Sequence, residues 1–253
     1  MFAQIAGAAV AKGEARLTRV IKDVQLVRGS ARAAAPNDRV GDGSVRAGAD
    51  SRAELVLPGN TLLRMGANSV VTLSEGAKRA ELGEGALLFQ APKPNAGVKL
   101  RTGALTIEIG GATGMVERYA NYVKVLLLQG TARVFLQSKL GESVLVDAGQ
   151  ILITRPDAKT LPEPVDFEIA QLYRTSVLTN RDFRPLPSDP LIQAEIEKQK
   201  KNPALIPTNL VIRGRGTLVT LADPATVETR AQQRGGSPSP SPTPSRSPAR
   251  PRR

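Results

Sequence analysis

The sequence predicts a mainly β domain, followed by a small helical appendage and a disordered tail rich in Pro, Ser and Arg. Three observations predict this fold class. Apolar residues alternate with a period of two between residues 14 and 154, and turn residues recur at intervals of about ten residues or fewer, as in all-β domains. The spacing becomes helical after Pro156, and beyond residue 229 the segment SPSPSPTPSRSPARPRR has low complexity and too few apolar residues to fold.

The first strands are short runs separated by turn signals. EARLTRV and DVQLVRG are split at Lys22-Asp23, and the small and polar residues 29–39 are expected to form a loop. In the next run Ala53, Leu55 and Leu57 share one face, and Pro58-Gly59-Asn60 predicts a turn. After it Leu63 and Met65 share a face, a turn follows at Gly66-Ala67-Asn68, and Val71 and Leu73 continue the alternation.

The later strands follow the same pattern. YVKVLLLQG (122–130) is apolar on both faces, which predicts a central strand that is covered on both sides. Roughly a dozen strands and no helix are expected before residue 160. The remaining strand-like runs lie at 81–82, 86–90, 98–102, 104–109, 131–137, 143–149 and 150–154.

Two helices and a strand pair are predicted after the β domain. Val165, Ile169, Leu172 and Ser176 have helical spacing within 165–180. The second helix, at 188–202, has Ser188 as its candidate N-cap, Pro190 in its first turn and three lysines in its last turn. Strand character returns at 209–221, around Gly214-Arg215-Gly216. The predicted units are therefore 1–12, 14–155, 160–225 and 229–253.

Composition excludes several kinds of chemistry. The 253 residues include no Cys and no His, which removes thiolate catalysis, imidazole acid–base catalysis and nearly every zinc or haem site. Aromatic residues make up only 3%, so stacking platforms for single-stranded nucleic acid are not expected. The formal net charge is +12, and six arginines with no acidic residue follow Glu228. Such a basic tail attracts any polyanion.

The N-terminus predicts export. MFAQIAGAAVA is small, apolar and uncharged before Lys12, like the end of a signal peptide with an Ala-rich cleavage site, although a basic n-region is missing. Residues 1–12 are therefore interpreted as a signal-peptide remnant, and the protein as periplasmic or otherwise exported. If these residues are only a frayed terminus, the protein is cytoplasmic. No run of 18 apolar residues exists, so no transmembrane segment is predicted.

The motifs of enzymes are missing. The glycines match neither a Walker loop nor a dinucleotide fingerprint, and Gly41, Gly43, Gly110, Gly111 and Gly114 are interpreted as glycines between strands. No Gly-x-Ser-x-Gly elbow and no Ser-x-x-Lys motif are present. We therefore predict no catalytic residue, no cofactor, no small-molecule substrate and no enzyme activity.

One acidic cluster raises the question of a metal site. Its members lie close in sequence and are carboxylates, as Ca²⁺ prefers, but they do not follow the EF-hand pattern, and basic residues lie beside them. Solvated turn residues are the favoured interpretation, and no metal site is predicted. The members are Asp38, Asp42, Asp50 and Glu54.

Five segments, in this order, resemble the FecR-domain family. They are VQLVRG (24–29), VGDGSVRAGADSRAEL (40–55), LLRMGANS (62–69), VKVLLLQGTARVFL (123–136) and DAGQ (147–150). The resemblance implies a stacked β domain, solenoid-like or jelly-roll-like, on the extracytoplasmic side of a bacterial membrane. In the best-known members this domain relays a signal from an outer-membrane transporter to a sigma factor and catalyses no reaction. Compared with those members, this chain is expected to lack an inner-membrane helix and an anti-sigma segment before the domain.

These observations lead to two hypotheses that place the protein in different functional classes. The first is an exported protein-binding, signalling or scaffold module whose partner is an envelope protein or polymer. The second is a cytoplasmic protein that binds a polyanion such as nucleic acid through its basic tail, although no nucleic-acid module is recognisable. An enzyme that uses Lys, Asp or Glu remains a remote third. If the glycine-rich turns at 41–50 and 66–69 form a binding surface, its residues are Arg46, Asp50, Arg52 and Asn68.

Overall fold

Nineteen strands, two α-helices and one 3-10 turn at Pro58–Asn60, where the sequence predicts a turn, are found in the described part of this chain in a computed structural model. The structure describes residues 14–92, 98–139, 141–179, 182–201, 210–213 and 218–221. The predicted signal-peptide remnant at 1–12, the predicted tail at 229–253 and the glycines at 214 and 216 lie outside these ranges.

The elements follow the chain in an order that is almost entirely β. The strands before residue 92 are β1 (Ala15–Ile21), β2 (Val24–Arg28), β3 (Ser30–Ala33), β4 (Arg39–Val40), β5 (Gly43–Ala47), β6 (Arg52–Val56), β7 (Leu62–Met65), β8 (Ser69–Ser74) and β9 (Arg79–Gln90). Those from 99 to 166 are β10 (Lys99–Thr102), β11 (Leu105–Ile109), β12 (Thr113–Arg118), β13 (Val123–Gln129), β14 (Thr131–Leu136), β15 (Ser143–Asp147), β16 (Gln150–Thr154) and β17 (Val165–Asp166). The helices α1 (Ile169–Thr175) and α2 (Asp189–Lys200) come next, and β18 (Leu210–Arg213) pairs antiparallel with β19 (Leu218–Leu221).

Two sheets face each other across one core, and the long strand β9 belongs to both. Sheet I has the order β4-β1-β6-β7-β9-β12-β13-β16-β17. Sheet II has the order β3-β2-β5-β8-β9-β10-β11-β14-β15. The first half of β9 pairs in sheet II and the second half in sheet I. The chain therefore passes repeatedly from one sheet to the other.

Gly85 marks the point at which β9 changes sheets. Its φ of +92° lies in the region that favours glycine, and a Cβ there would lie 2.2 Å from Ser69 Oγ and 2.6 Å from Ser69 Cα. No other residue type fits this position without displacing the backbone of β8.

The alternation of apolar residues in the sequence corresponds to the two faces of each sheet. Ala53, Leu55 and Leu57 are all fully buried in the core between the sheets, as the sequence predicts. Strand β13 is covered on both faces, which is also confirmed: Val125 and Leu127 enter this core, whereas Leu126 and Leu128 enter a second core on the outer face of sheet I.

The helical appendage provides the cover for that second core. Phe167, Ile169, Leu172, Leu178 and Ile192 pack there against apolar side chains of sheet I. Up to residue 201, the described residues thus form three layers, which are sheet II, sheet I and the helical segment after β17 (167–179 and 182–201). The prediction of a mainly β protein with two helices is confirmed.

Local predictions were less accurate where the local pattern is weak. The segment 29–39 is not simply a loop, since it contains β3 and the start of β4, and sixteen strands rather than about twelve precede residue 160. Gly43 begins β5 and Gly114 lies inside β12, so neither lies between strands. A Cβ on Gly114 would come within 2.4 Å of Leu126 O, so this strand needs glycine for close packing.

The first helix is much shorter than the predicted 165–180. Val165 pairs with Ile151 as part of β17, so the helix begins only at Ile169. It ends at Thr175 because the chain turns, and Thr179 Oγ1 donates hydrogen bonds to the carbonyls of Tyr173 and Ser176.

The second helix nearly matches the predicted 188–202. Ser188 occupies the N-cap position, but it makes no capping hydrogen bond, because its hydroxyl bonds with Thr113 Oγ1 at 2.7 Å instead. This contact joins the start of α2 to β12.

A candidate interaction cleft at the turns

Several turns meet at one end of the two sheets and enclose a cleft of about 420 Å³. The turn between β1 and β2, that between β5 and β6, and that between β7 and β8 supply most of its wall. The bend of β9, the turn after β12 and the segment after α1 complete it. The residues that line it include Lys22, Asp50, Arg52, Asn68, Glu84, Tyr119 and Val177.

Backbone hydrogen bonds join the first three turns. The N–H of Gly48 donates to Asp23 O at 2.9 Å, and the N–H of Asn68 donates to Gly48 O at 3.0 Å. The hydroxyl of Ser51, which is fully buried, accepts a 3.1 Å hydrogen bond from the N–H of Asp23. These contacts hold together turns that lie far apart in sequence, so the cleft has a defined shape.

Three residues that line the cleft have left-handed backbone conformations. Their φ angles are 61° at Lys22, 53° at Asp50 and 53° at Asn68. Asp and Asn adopt this region more readily than most residues, whereas Lys does so rarely. Strained turn residues concentrate at binding sites, which makes this end of the molecule a candidate site.

Arg52 is the most enclosed cation of the cleft. Its side chain is 19% exposed, and its Nη2 lies 2.8 Å from Asp182 Oδ2 in the helical segment. Its Nε is buried and has no hydrogen-bond acceptor among the described residues. The guanidinium therefore has an unused donor beside the ion pair. Lys22 and Asp50, by contrast, form an exposed pair with 3.6 Å between Nζ and Oδ2.

Tyr119 gives the cleft an aromatic wall. Burial and, to a smaller extent, the neighbouring Glu117, Tyr122 and Glu84 raise the pKa of its phenol to about 12, so it stays neutral at physiological pH. Its ring centroid lies 5.1 Å from that of Tyr122. Tyrosine combines an apolar ring with a polar hydroxyl and is enriched at protein interfaces for this reason.

A buried ion pair lies behind this aromatic turn. Lys124 Nζ is 3.4 Å from Glu117 Oε2, and the side chains are 3% and 0% exposed. Glu117 Oε1 has no hydrogen-bond partner among the described residues. Burial raises the pKa of Glu117 to about 7 against the opposing effect of Lys124, and burial lowers the pKa of Lys124. The ammonium also lies 4.8 Å from the centroid of the Tyr122 ring.

The structure brings together three of the four residues singled out from the sequence. Asp50, Arg52 and Asn68 line the cleft, whereas Arg46 lies on the exposed outer face of sheet II, between Gln25 and Val70. Sequence reasoning missed Lys22 and Tyr119. The split between the first two runs had already placed Lys22 in a turn, but Tyr119 follows a strand that the alternation did not reveal.

The four acidic residues considered for Ca²⁺ have separate partners. Arg32 holds the pKa of Asp38 below its usual range, Asp42 accepts a hydrogen bond from a backbone N–H, and Asp50 pairs with Lys22. Glu54 is a half-buried member of β6 and not a solvated turn residue. Within the described ranges, no three His, Cys, Asp or Glu side chains lie close enough together to hold a metal ion.

The family comparison supports the predicted resemblance. The model of the FecR protein family matches residues 43–133, which include the turns at 48–51 and 66–68 and the Tyr119–Tyr122 turn. The chain contains a FecR domain. The matched range is shorter than the span from 24 to 150 over which the sequence motifs were recognised.

Two solved structures are similar to this FecR-domain chain in general form. Both are of a candidate anti-sigma factor from Parabacteroides distasonis ATCC 8503, with identities of 13% and 14% and TM-scores of 0.44 and 0.43. Each comparison covers 76% of this chain and 91% of the other. No curated protein matches the sequence.

The two α-helices span seven and twelve residues. In the part of the FecR-domain chain that the structure describes, neither helix has the length and apolar character needed to cross a membrane.

Proposed function

We propose that this FecR-domain protein is a non-enzymatic signalling or scaffold module that binds a partner in the bacterial envelope at the turn cleft. The observation that carries the proposal is the convergence of Asp50, Arg52 and Asn68 with Lys22 and Tyr119 around one cleft inside the matched domain or beside it. Rigid turns that present charged, amide and phenolic groups suit the recognition of a protein surface.

The charges of the cleft favour a polar partner segment. Lys22 and Arg52 are cationic, Asp50 and Glu84 are anionic, and Asn68 supplies an amide. Because both signs are present, we propose a partner that offers both hydrogen-bond donors and acceptors. The exposed part of the Arg52 guanidinium, whose side chain is 19% exposed beside Asp182, is suited to a carboxylate or carbonyl oxygen of that partner.

Site-specific photo-crosslinking in the native cell tests the cleft. A photoreactive amino acid at Ala67, which is exposed at the cleft and does not need a positive φ, is expected to capture a distinct partner. The matched control is Lys99, which is exposed on the outer face of sheet II. Arg52→Gln is expected to abolish the Ala67 adduct. Equal capture from Lys99, or an adduct that persists in Arg52→Gln, would contradict the assignment.

The proposed location has its own test. The Ala-rich N-terminus supports export, so the native protein is expected in the periplasm with an N-terminus near Ala9 to Lys12. Recovery from the cytoplasm with Met1 intact would contradict export. The proposed interaction at the cleft would then still be tested by the crosslinking experiment, which does not depend on export.

A second candidate function rests on the six arginines that follow Glu228. In this case a cytoplasmic protein binds a polyanion through its tail. Binding to DNA or RNA would then fall steeply with salt and disappear in a variant that ends at Glu228. The proposed envelope module instead keeps its partner when the tail is removed.

A further inference from the structure

The two ends of sheet II differ in how they are protected. At one end, β3 pairs only with β2 among the described strands, and Arg32 within β3 forms an ion pair with Asp38. At the other end, β14 is the one strand that pairs with β15 in the described part of the chain, and Leu145 in the centre of β15 is 50% exposed. Exposed edge strands usually carry charges or prolines that prevent pairing with other chains. The β15 edge has an apolar centre instead.

Sheet I ends on the same side with a similar feature. Its last strand, β17, carries Val165, which is 43% exposed. Leu145 and Val165 are two of the three large apolar residues that the described part of the chain exposes. Both sheets thus end on this side in strands with exposed apolar side chains.

The side chains of β15 alternate between the core and solvent. Val146 is buried in the core between the sheets and Val144 packs against it. Ser143, Leu145 and Asp147 therefore point to the outer face of sheet II. Their neighbours in β14 are Phe135, Arg133 and Thr131.

This outer row is complementary to itself. If two copies of β15 pair antiparallel about a two-fold axis at Leu145, each Leu145 faces its counterpart and each Ser143 faces Asp147 of the other copy. Arg133 Nη1 donates a 3.2 Å hydrogen bond to Ser143 Oγ, so its guanidinium already lies where that carboxylate would arrive. Asp147 has no ion pair among the described residues.

We propose that β15 pairs antiparallel with β15 of a second copy of this chain, centred on Leu145, so that two copies of sheet II form one continuous sheet. Two equivalent Arg133–Asp147 ion pairs flank the central Leu145 contact and set the register. The surface is separate from the turn cleft, so the proposal stands or falls independently of the proposed partner.

The first measurement is the mass of the full chain in solution by size-exclusion chromatography with light scattering. The wild type is expected at twice the 26.8 kDa of one chain, and Leu145→Asp at the single-chain mass. Leu145 is exposed, so this substitution should not unfold the protein, and circular dichroism checks that it does not. A wild type that stays monomeric, or a Leu145→Asp variant that stays dimeric, overturns the proposal.

Cysteine crosslinking then tests the register. The chain has no cysteine, so an introduced one is unique. Directly opposed residues of antiparallel strands have Cβ atoms about 4.5–5.5 Å apart, so Leu145→Cys should form a covalent dimer on mild oxidation. Ser143→Cys, which faces Asp147, and Ala31→Cys on the opposite edge should not. Equal crosslinking of Ala31→Cys, or none of Leu145→Cys, overturns the proposed pairing.

A charge exchange tests the flanking ion pairs. Asp147→Arg should weaken the dimer, and the double variant Arg133→Asp/Asp147→Arg should restore it, because the opposite charges meet again. Failure of the double variant to dimerise more strongly than Asp147→Arg would show that these charges do not set the register.

Discussion

Arg64 joins the helical segment to sheet I, and its replacement should detach that segment. The side chain is 1% exposed, and its Nε donates a 2.8 Å hydrogen bond to Glu54 Oε2. Its Nη1 and Nη2 donate to the carbonyls of Leu178 and Arg184 at 2.9 and 2.6 Å. The guanidinium carbon also lies 4.7 Å from the centroid of the Phe183 ring. The Arg64 guanidinium thus binds the helical segment at two positions, Leu178 and Arg184.

The variant Arg64→Met keeps the apolar stem and removes these hydrogen bonds. It leaves a half-buried carboxylate and two carbonyls without their donor, and breaking a buried pair in this way costs about 3–5 kcal/mol. Hydrogen exchange measured by mass spectrometry shows which elements lose this free energy of stabilisation. Because each 1.4 kcal/mol is about a factor of ten, protection across 169–200 should fall about a hundredfold or more. Protection in β13 and β14 should remain.

The control for this prediction is Arg79→Met. Arg79 pairs with Glu75 at 2.7 Å, but the two side chains are 39% and 53% exposed, so its loss should cost less than about 1 kcal/mol. If Arg64→Met behaves like this control, the guanidinium does not hold the segment. If β13 loses protection as strongly as the helices, Arg64 supports the whole fold and the reasoning about a separate segment is refuted.

Two further predictions concern burial and backbone conformation. Since the pKa of Glu117 is raised to about 7 from 4.5, the folded chain retains a proton that the unfolded chain has released, and stability should fall by on the order of 2 kcal/mol between pH 5 and pH 8. Glu117→Gln should remove this fall, which denaturant unfolding at both pH values would show. A variant whose free energy of unfolding still falls as much between pH 5 and pH 8 as that of the wild type would contradict the prediction. Gly85→Ala should cost about 3 kcal/mol or more, because its φ is positive and its Cβ meets Ser69. Gly83→Ala, whose nearest neighbour would lie 3.7 Å away, should cost less than about 1 kcal/mol in the same melts, and equal losses would contradict the steric argument.

The sequence predicted the parts of the fold that alternation reveals. Period-two patterns identified β6 and β8 correctly, because each buries every second residue in the core, and a run that is apolar on both faces identified β13. Strand β3 was missed because all four of its residues are exposed and show no alternation. Strand β12 was missed because Gly110 and Gly111 precede it, Gly114 lies inside it, and its residues show no apolar alternation. It pairs with β13 as a local hairpin and with the earlier strand β9 on its other side.

The cleft was predictable only in part for a similar reason. Asp50 and Asn68 are turn residues whose types suit a positive φ, so the sequence pointed to them directly. Tyr119 and Val177 follow Asn68 by 51 and 109 residues, and no local signal connects them to those turns. Arg46 belonged to the same glycine-rich stretch, but it lies on a strand face.

The alternation of the chain between two sheets explains why a cleft forms here. Each passage from one sheet to the other leaves a turn at an end of the molecule, so turns that lie far apart in sequence become neighbours and bond to one another, as Gly48 does to Asp23 and Asn68. The helical segment then completes the wall, because Asp182 pairs with Arg52 and Val177 lines the same space. Arg64 holds that segment in place from beneath. The shape of the cleft therefore depends on the docking of the segment as well as on the FecR domain, and a partner bound there contacts both.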